Sequence, residues 1–285
     1  MCRLFGMSGG AQPIRATFWL LQAPDSLRKQ SLREPDGTGI GYFDAAGAPH
    51  VDKQPIAATH DPAFARAARE VRSTTFVAHV RFASTGDLQV RNTHPFEQHG
   101  RLFAHNGVIE GLDLLEAHLG EARSLVQGDT DSERFFALLT REIDSHEGDV
   151  RQGIDAATTW VADNLPVFSL NFVLATGTDL WALRFPDTHG LFVLERPAGG
   201  AAGEAMEHIS ALGTHVHSDE AGGRPVVVVA SEPMDSDPGW RELESGELLH
   251  VPATLEVDTQ IILERPPTHP LTLTDLHPQA RSSQA

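Results

Sequence analysis

The sequence predicts an α+β fold built from two sheets with helices on the outside. Three observations carry that expectation. Short β-branched and aromatic runs occur in both halves of the chain, a block with helical periodicity separates them, and 40% of the 285 residues are apolar, enough for a sizeable core. Charged residues make up 21%, which excludes disorder by composition.

Taken in order, Cys2 to Ser8 is an apolar strand that ends at Gly9-Gly10. Residues 13 to 30 are expected to be helical. Gly39 to Phe43 is a strand after the turn signal Pro35-Asp36-Gly37. Residues 61 to 71, rich in Ala, Arg and Glu, predict a helix, and Thr74 to Phe82 a strand. Apolar runs at Leu102 to Ala104 and Val108-Ile109 flank Asn106-Gly107, the best short signal for a tight hairpin. Helices are expected at about 110 to 119, 131 to 146 and 150 to 163. Strands follow at 168 to 176, 179 to 185, 190 to 195, 225 to 230, 247 to 251 and 254 to 263, with a flexible loop at Gly199 to Gly203. One domain is expected over residues 2 to 265. Residues 266 to 285, rich in Pro, Thr, Ser and Gln, are expected to form a flexible tail.

Charge narrows the partners. Twenty-two basic and 39 acidic side chains give a net charge of −17, which argues against nucleic acid and anionic membrane, since phosphate binding needs clustered Lys and Arg. No run of eighteen apolar residues and no signal-peptide pattern occur, so a cytoplasmic protein is expected. The single cysteine, residue 2, excludes an intramolecular disulfide and a cysteine-built zinc site. Among 15 histidines there is no His-Glu-x-x-His. His215-Val216-His217 lies in a Gly- and Asp-rich stretch and reads as surface. No metal and no cofactor are called for. A serine nucleophile elbow, Gly-x-Ser-x-Gly, is absent as well.

Cys2 alone would read as a small buried hydrophobe. Its position changes that. With a side chain this small at residue 2, Met1 is expected to be removed, leaving Cys2 at the chain start. A terminal amine with a pKa of about 7.7–8.0 then sits in the same residue as the thiol and can take its proton. At Asn106-Gly107, a side-chain amide and a backbone N–H can both point at one oxygen, as an oxyanion hole requires. Losing one such donor costs roughly 100- to 1000-fold in rate. Arg81, in an apolar strand, is either an edge charge, the partner of a buried carboxylate or a fork for a substrate α-carboxylate. Thr130, three residues before Glu133, reads as a capping box, and Asp131 between them can bind a substrate ammonium.

In this order and spacing the residues resemble the class II glutamine amidotransferases, the N-terminal-nucleophile type. The matching motifs are Cys2 after Met1, His79-Val80-Arg81 with Ser84 and Gly86, Asn92-Thr93-His94-Pro95, His105-Asn106-Gly107, and Asp129 to Glu133. Arg33 to Gly39 looks like a degenerate form of the family's early loop, with Glu34 in place of a glycine. The resemblance implies a four-layer αββα sandwich with two mostly antiparallel sheets. It implies Cys2, Asn106 and Gly107 as catalytic residues, Arg81, Ser84 and Asp131 as substrate-binding residues, and Arg33, His94 and Thr130 as supports of the site. Its specific motifs cover residues 2 to about 135; from there to about 263 it is looser and points to short standalone members. Those include uncharacterised bacterial amidotransferase-like proteins and γ-glutamyl amidohydrolases of the ergothioneine pathway. The expected activity is cleavage of the γ-amide of glutamine or a γ-glutamyl amide, with ammonia conceivably handed to a separate acceptor protein. A γ-glutamyl hydrolase of a small-thiol pathway and a non-catalytic glutamine-sensing module are the alternatives.

Overall fold

The computed structural model describes residues 2–82, 86–198, 206–209, 215–218 and 223–284. The expected loop at Gly199 to Gly203 and Ser84 fall outside that description, as do the side chains of His215 and His217.

Strands β1 (Arg3–Ser8), β2 (Gly37–Phe43), β3 (Pro49–Gln54), β4 (Thr75–Arg81), β5 (Phe96–Gln98) and β6 (Arg101–Ile109) form the N-terminal half. Helices α1 (Leu27–Gln30) and α2 (Pro62–Glu70) lie among them. The helical block is α3 (Leu112–Leu119), α4 (Asp131–Ser145) and α5 (Val150–Asn164). Then come β7 (Pro166–Ala175), β8 (Leu180–Arg184), β9 (Phe192–Arg196), β10 (Met206–Ile209), β11 (His215–Ser218) and β12 (Val226–Ala230). The last strands are β13 (Arg241–Glu242), β14 (Glu247–Val251), β15 (Asp258–Ile261) and β16 (His269–Pro270).

One sheet has the order β13-β9-β12-β1-β4-β2-β3 and the second β15-β14-β8-β7-β6-β5, with β16 added to β7. Every ladder among the described residues is antiparallel except β16 on β7. The sheets face one another across Leu4, Val77, Leu102, Ala104, Val173 and Val229, all buried. The outer face of the first sheet is covered by α2 and the Phe18-Trp19 turn, and that of the second by α4 and α5. The architecture is therefore a four-layer αββα sandwich of two mostly antiparallel sheets, as the resemblance implied.

Local chemistry explains the helix starts. Asp61 caps α2 by accepting from the Ala63 and Phe64 N–H groups, with Pro62 in the first turn. Thr130 caps α4 by accepting from the Glu133 N–H at 3.2 Å. The reciprocal bond of a capping box is redirected: Glu133 accepts from the Gly128 N–H at 2.6 Å instead. Gly153 lets α5 meet α4 closely, since a Cβ there would lie 2.5 Å from Ile143.

Three expectations change. Residues 13 to 30 are not one helix but a five-residue π turn, Phe18–Gln22, and the four-residue α1. Pro24 separates them, and the preceding Ala23 is extended, at ψ 151°. Asn106-Gly107 is not a turn, because β6 runs unbroken through it and pairs with β7 at Asn171 and Leu170. Glycine is needed there for close approach: a Cβ on Gly107 would sit 1.9 Å from the Ser169 carbonyl oxygen. Finally, the segment after Pro266 contributes β16 and a C-terminal helix, Pro278–Gln284, and buries Leu276 and Ala280 against Val108 and Phe168.

Candidate active site

The register of β1 against β4 builds the centre of the site. Arg3 opposes Val80, so Cys2, one residue earlier, comes to the end of β4. Its Sγ accepts from the Phe82 N–H at 3.2 Å and lies 3.3 Å from the Phe82 carbonyl. The side chain is buried, and burial raises the thiol pKa to about 11; the Phe82 N–H and Arg81 pull it down, and Glu34 pushes it further up.

Asn106 Nδ2 donates to the Cys2 carbonyl at 2.9 Å, which ties β6 of the second sheet to the head of β1 in the first. Asn106 Oδ1 is buried with no protein partner. Arg81 closes β4 and is 3% exposed. Its guanidinium donates to the carbonyls of Gly86 and Asp87, both at 3.3 Å, and so holds the loop that follows. Asp131 opens α4, is buried, and accepts from the Ile109 N–H at 3.0 Å. Cys2, Arg81, Asn106, Gly107 and Asp131 thus come together from β1, β4, β6 and α4, separated by 129 positions in sequence yet linked through Phe82, the Cys2 carbonyl and Ile109.

The three residues expected to support the site have partners of their own. Thr130 caps α4. Arg33 is exposed and pairs with Glu232 at 2.9 Å and Asp25 at 3.4 Å. His94 is buried, its ring tilted against His79 at 4.3 Å and edge-on to Phe96 at 4.6 Å between centroids, and neither ring nitrogen of His79 or His94 has a protein hydrogen-bond partner. Burial, with Arg81 and His105 adding to it, pushes His79 down to about 3, and His94 also falls well below its usual value, chiefly by burial. Both rings are neutral at physiological pH.

Residues that the motif reading passed over complete the surroundings. Arg3 donates to the Cys2 carbonyl at 3.3 Å and to Glu232 at 2.9 Å, and lies 3.9 Å from buried Glu34. Glu232 therefore bridges Arg3 and Arg33 and braces the head of β1 against the early loop. His105 faces a carbonyl acceptor, Ser169 O, through Nε2 at 3.2 Å, so that nitrogen carries the proton and Nδ1 accepts from the Ser132 hydroxyl at 2.9 Å. It locks the start of α4 onto β7. Arg3 adjoins the cysteine, but nothing in the sequence records that it pairs with Glu232. Among the described residues, no group of three or more His, Cys, Asp or Glu side chains is placed to hold a metal ion. No helix among them is long and apolar enough to cross a membrane.

Comparison with known proteins gives the family and the fold. The family profile described as glutamine amidotransferases class-II matches residues 1–269. An uncharacterised protein of Methanocaldococcus jannaschii is 29% identical over 79% of this chain, which spans 63% of that relative's length. A γ-glutamyl-hercynylcysteine sulfoxide hydrolase of Mycobacterium tuberculosis is 30% identical, covering 88% of this chain and 93% of that protein. Among solved structures, the glutamine phosphoribosylpyrophosphate amidotransferase of Bacillus subtilis superposes with a TM-score of 0.64 at 20% identity, over 93% of this chain and 50% of its own. A glutamine aminotransferase class-II domain protein from Silicibacter pomeroyi gives a TM-score of 0.58 at 20% identity over 91% and 99%.

Proposed function

Because the chain belongs to the class II glutamine amidotransferases, we propose that it is a cysteine-dependent amidohydrolase that cleaves the γ-amide of glutamine or of a γ-glutamyl amide. The observation that supports this reading is that the Cys2 thiol lies against the Phe82 N–H, next to Arg81, while Asn106 reaches the Cys2 carbonyl from β6 and Asp131 is held by Ile109 of the same strand.

The chemistry follows from those groups. Removal of Met1 frees the Cys2 α-amine, which takes the thiol proton. The thiolate attacks the γ-carbonyl carbon while Arg81 pairs with the substrate α-carboxylate and Asp131 with its ammonium. Asn106 Nδ2 and the Gly107 N–H donate to the oxygen that becomes negative. The tetrahedral adduct collapses to a γ-glutamyl thioester as the C–N bond breaks and the ammonium returns its proton to the leaving nitrogen. Water, deprotonated by the same amine, then splits the thioester to glutamate and free thiol.

The leaving amine has two candidates. Ammonia follows from the family as a whole. A larger amine, as in a small-thiol pathway, is favoured by the Mycobacterium relative, whose length this chain matches almost throughout. Glutamate release measured over glutamine and a panel of γ-glutamyl amides separates them, with Cys2→Ala as control. A glutamine-like diazo ketone should add its mass to Cys2. Cys2→Ala protein with full hydrolytic activity would overturn the assignment, and a wild type that binds glutamine without releasing glutamate would favour a sensing module.

A further inference from the structure

Asn106 and Gly107 lie on β6, and two residues further on the Ile109 N–H holds Asp131. Between them the ladder with β7 loses its regular register. Val108 pairs with Ser169 and Ile109 with Val167, so Phe168 has no opposite residue. An extra residue in one strand bends the pair and re-aims its neighbours. Here the bend lies between the groups assigned to the two ends of a γ-glutamyl substrate.

The C-terminal segment covers that bend. β16 runs parallel to Pro166 and Val167, and the Leu271 N–H donates to the Val167 carbonyl at 2.8 Å. Leu276 (2% exposed) and Ala280 (4%) are buried against Val108 (3%) and Phe168 (4%). The Arg281 guanidinium braces the segment by donating to the carbonyls of Leu273 and Thr274 at 2.8 and 2.7 Å. The family profile ends at residue 269, so these contacts come from beyond the domain that the profile describes.

We propose that Leu271–Ala280 is a positioning element of the active site: it clamps the bulge at Phe168 and so sets the spacing between the oxyanion donor Gly107 and the ammonium partner Asp131. The proposal rests on the functional reading above. Close-packed side chains pass a displacement on rather than absorb it, and a misplacement of about 1 Å can cost about 100-fold in rate.

The test uses the full chain with Leu276→Ala, Ala280→Asp and the conservative Leu276→Met. Two rates are read: hydrolysis of the best γ-glutamyl substrate, and alkylation of Cys2 by iodoacetamide, which needs neither oxyanion donors nor Asp131. Leu276→Ala and Ala280→Asp should lower kcat/KM by roughly 10- to 100-fold with alkylation within about twofold, and Leu276→Met should restore hydrolysis. Unchanged hydrolysis in both disruptive variants would overturn the proposal, as would a loss of hydrolysis accompanied by a marked rise in alkylation, the mark of general unfolding that exposes the buried thiol. Wild-type protein that hydrolyses nothing in the panel overturns the functional reading and this proposal with it; an active wild type with indifferent variants overturns the proposal alone.

Discussion

Acid should destabilise this protein through two histidines before its carboxylates titrate. Folded His79 stays neutral down to about 3 because burial, with Arg81 and His105 nearby, disfavours its cation, whereas the unfolded side chain takes up a proton near 6.5. A depressed folded pKa contributes stability that is complete above the unfolded value and is lost progressively as pH falls towards the folded one. At about pH 5, some 1.5 units into that window, the loss is about 2 kcal/mol at roughly 1.4 kcal/mol per unit. His94, packed on His79 and held well below its usual value chiefly by burial, shifts the same way and adds to the loss, against a total stability that is typically about 5–15 kcal/mol. Urea unfolding at neutral pH and near pH 5 measures this directly. His79→Gln, uncharged at both pH values, should lose about 2 kcal/mol less than wild type between them. Carboxylates held low, such as Asp44 and Glu116, cancel in the difference. If the variant and wild type lose stability in parallel, the buried neutral pair is not what acid attacks.

Three other expectations concern the site. Arg81→Lys replaces a planar fork with a point charge, so KM for a γ-glutamyl substrate should rise roughly tenfold or more with a smaller change in kcat, read from initial rates. Asn106→Ala removes a donor and the tie to the Cys2 carbonyl, and kcat should fall by about 100- to 1000-fold. Gly107→Ala drives a methyl group to within 1.9 Å of the Ser169 carbonyl oxygen and 2.7 Å of His105 Nε2, and should lower the melting temperature as well as activity.

The pattern of strands and the central helices was legible because each element carries its own signal. Thr75–Arg81 is a β-branched strand, and α4 begins at a Thr with Glu three residues on. The π turn at Phe18–Gln22 was not, because its residues pack all round in the core under Trp240 and lose the one-sided period that marks a surface helix. Asn106-Gly107 carries a strong turn signal that tertiary structure overrides: Ser169 and His105 approach so closely that only glycine fits, which serves a strand as well as a turn. The supporting shell escaped for a different reason. Arg3, Glu34 and Glu232 join across 229 positions, and a single sequence has no period or spacing that records a long-range ion pair.

The proposed activation of Cys2 can be weighed in magnitudes. The Sγ contacts just past β4 are both with the Phe82 backbone, and the nearby histidines are otherwise engaged: His105 with Ser132 and Ser169, His79 and His94 with each other. With Met1 attached, the Cys2 nitrogen is a peptide nitrogen and accepts no proton. The buried thiol then stays protonated at neutral pH, since its pKa is about 11. Freeing the amine supplies an acceptor with a pKa of about 8, so the transfer remains uphill by about three units, or about 4 kcal/mol. The transfer also places an ammonium roughly 3.5 Å from the thiolate, an attraction of about 5 kcal/mol at an effective dielectric constant of about 20. The two nearly cancel, so processing brings the thiolate within reach at neutral pH without a histidine. Protein that keeps Met1 should therefore alkylate with iodoacetamide at least about tenfold more slowly at neutral pH than processed protein, and the gap should close as pH rises towards 11. Equal rates for the two forms, read by intact mass, would mean that the thiol is activated from elsewhere in the chain.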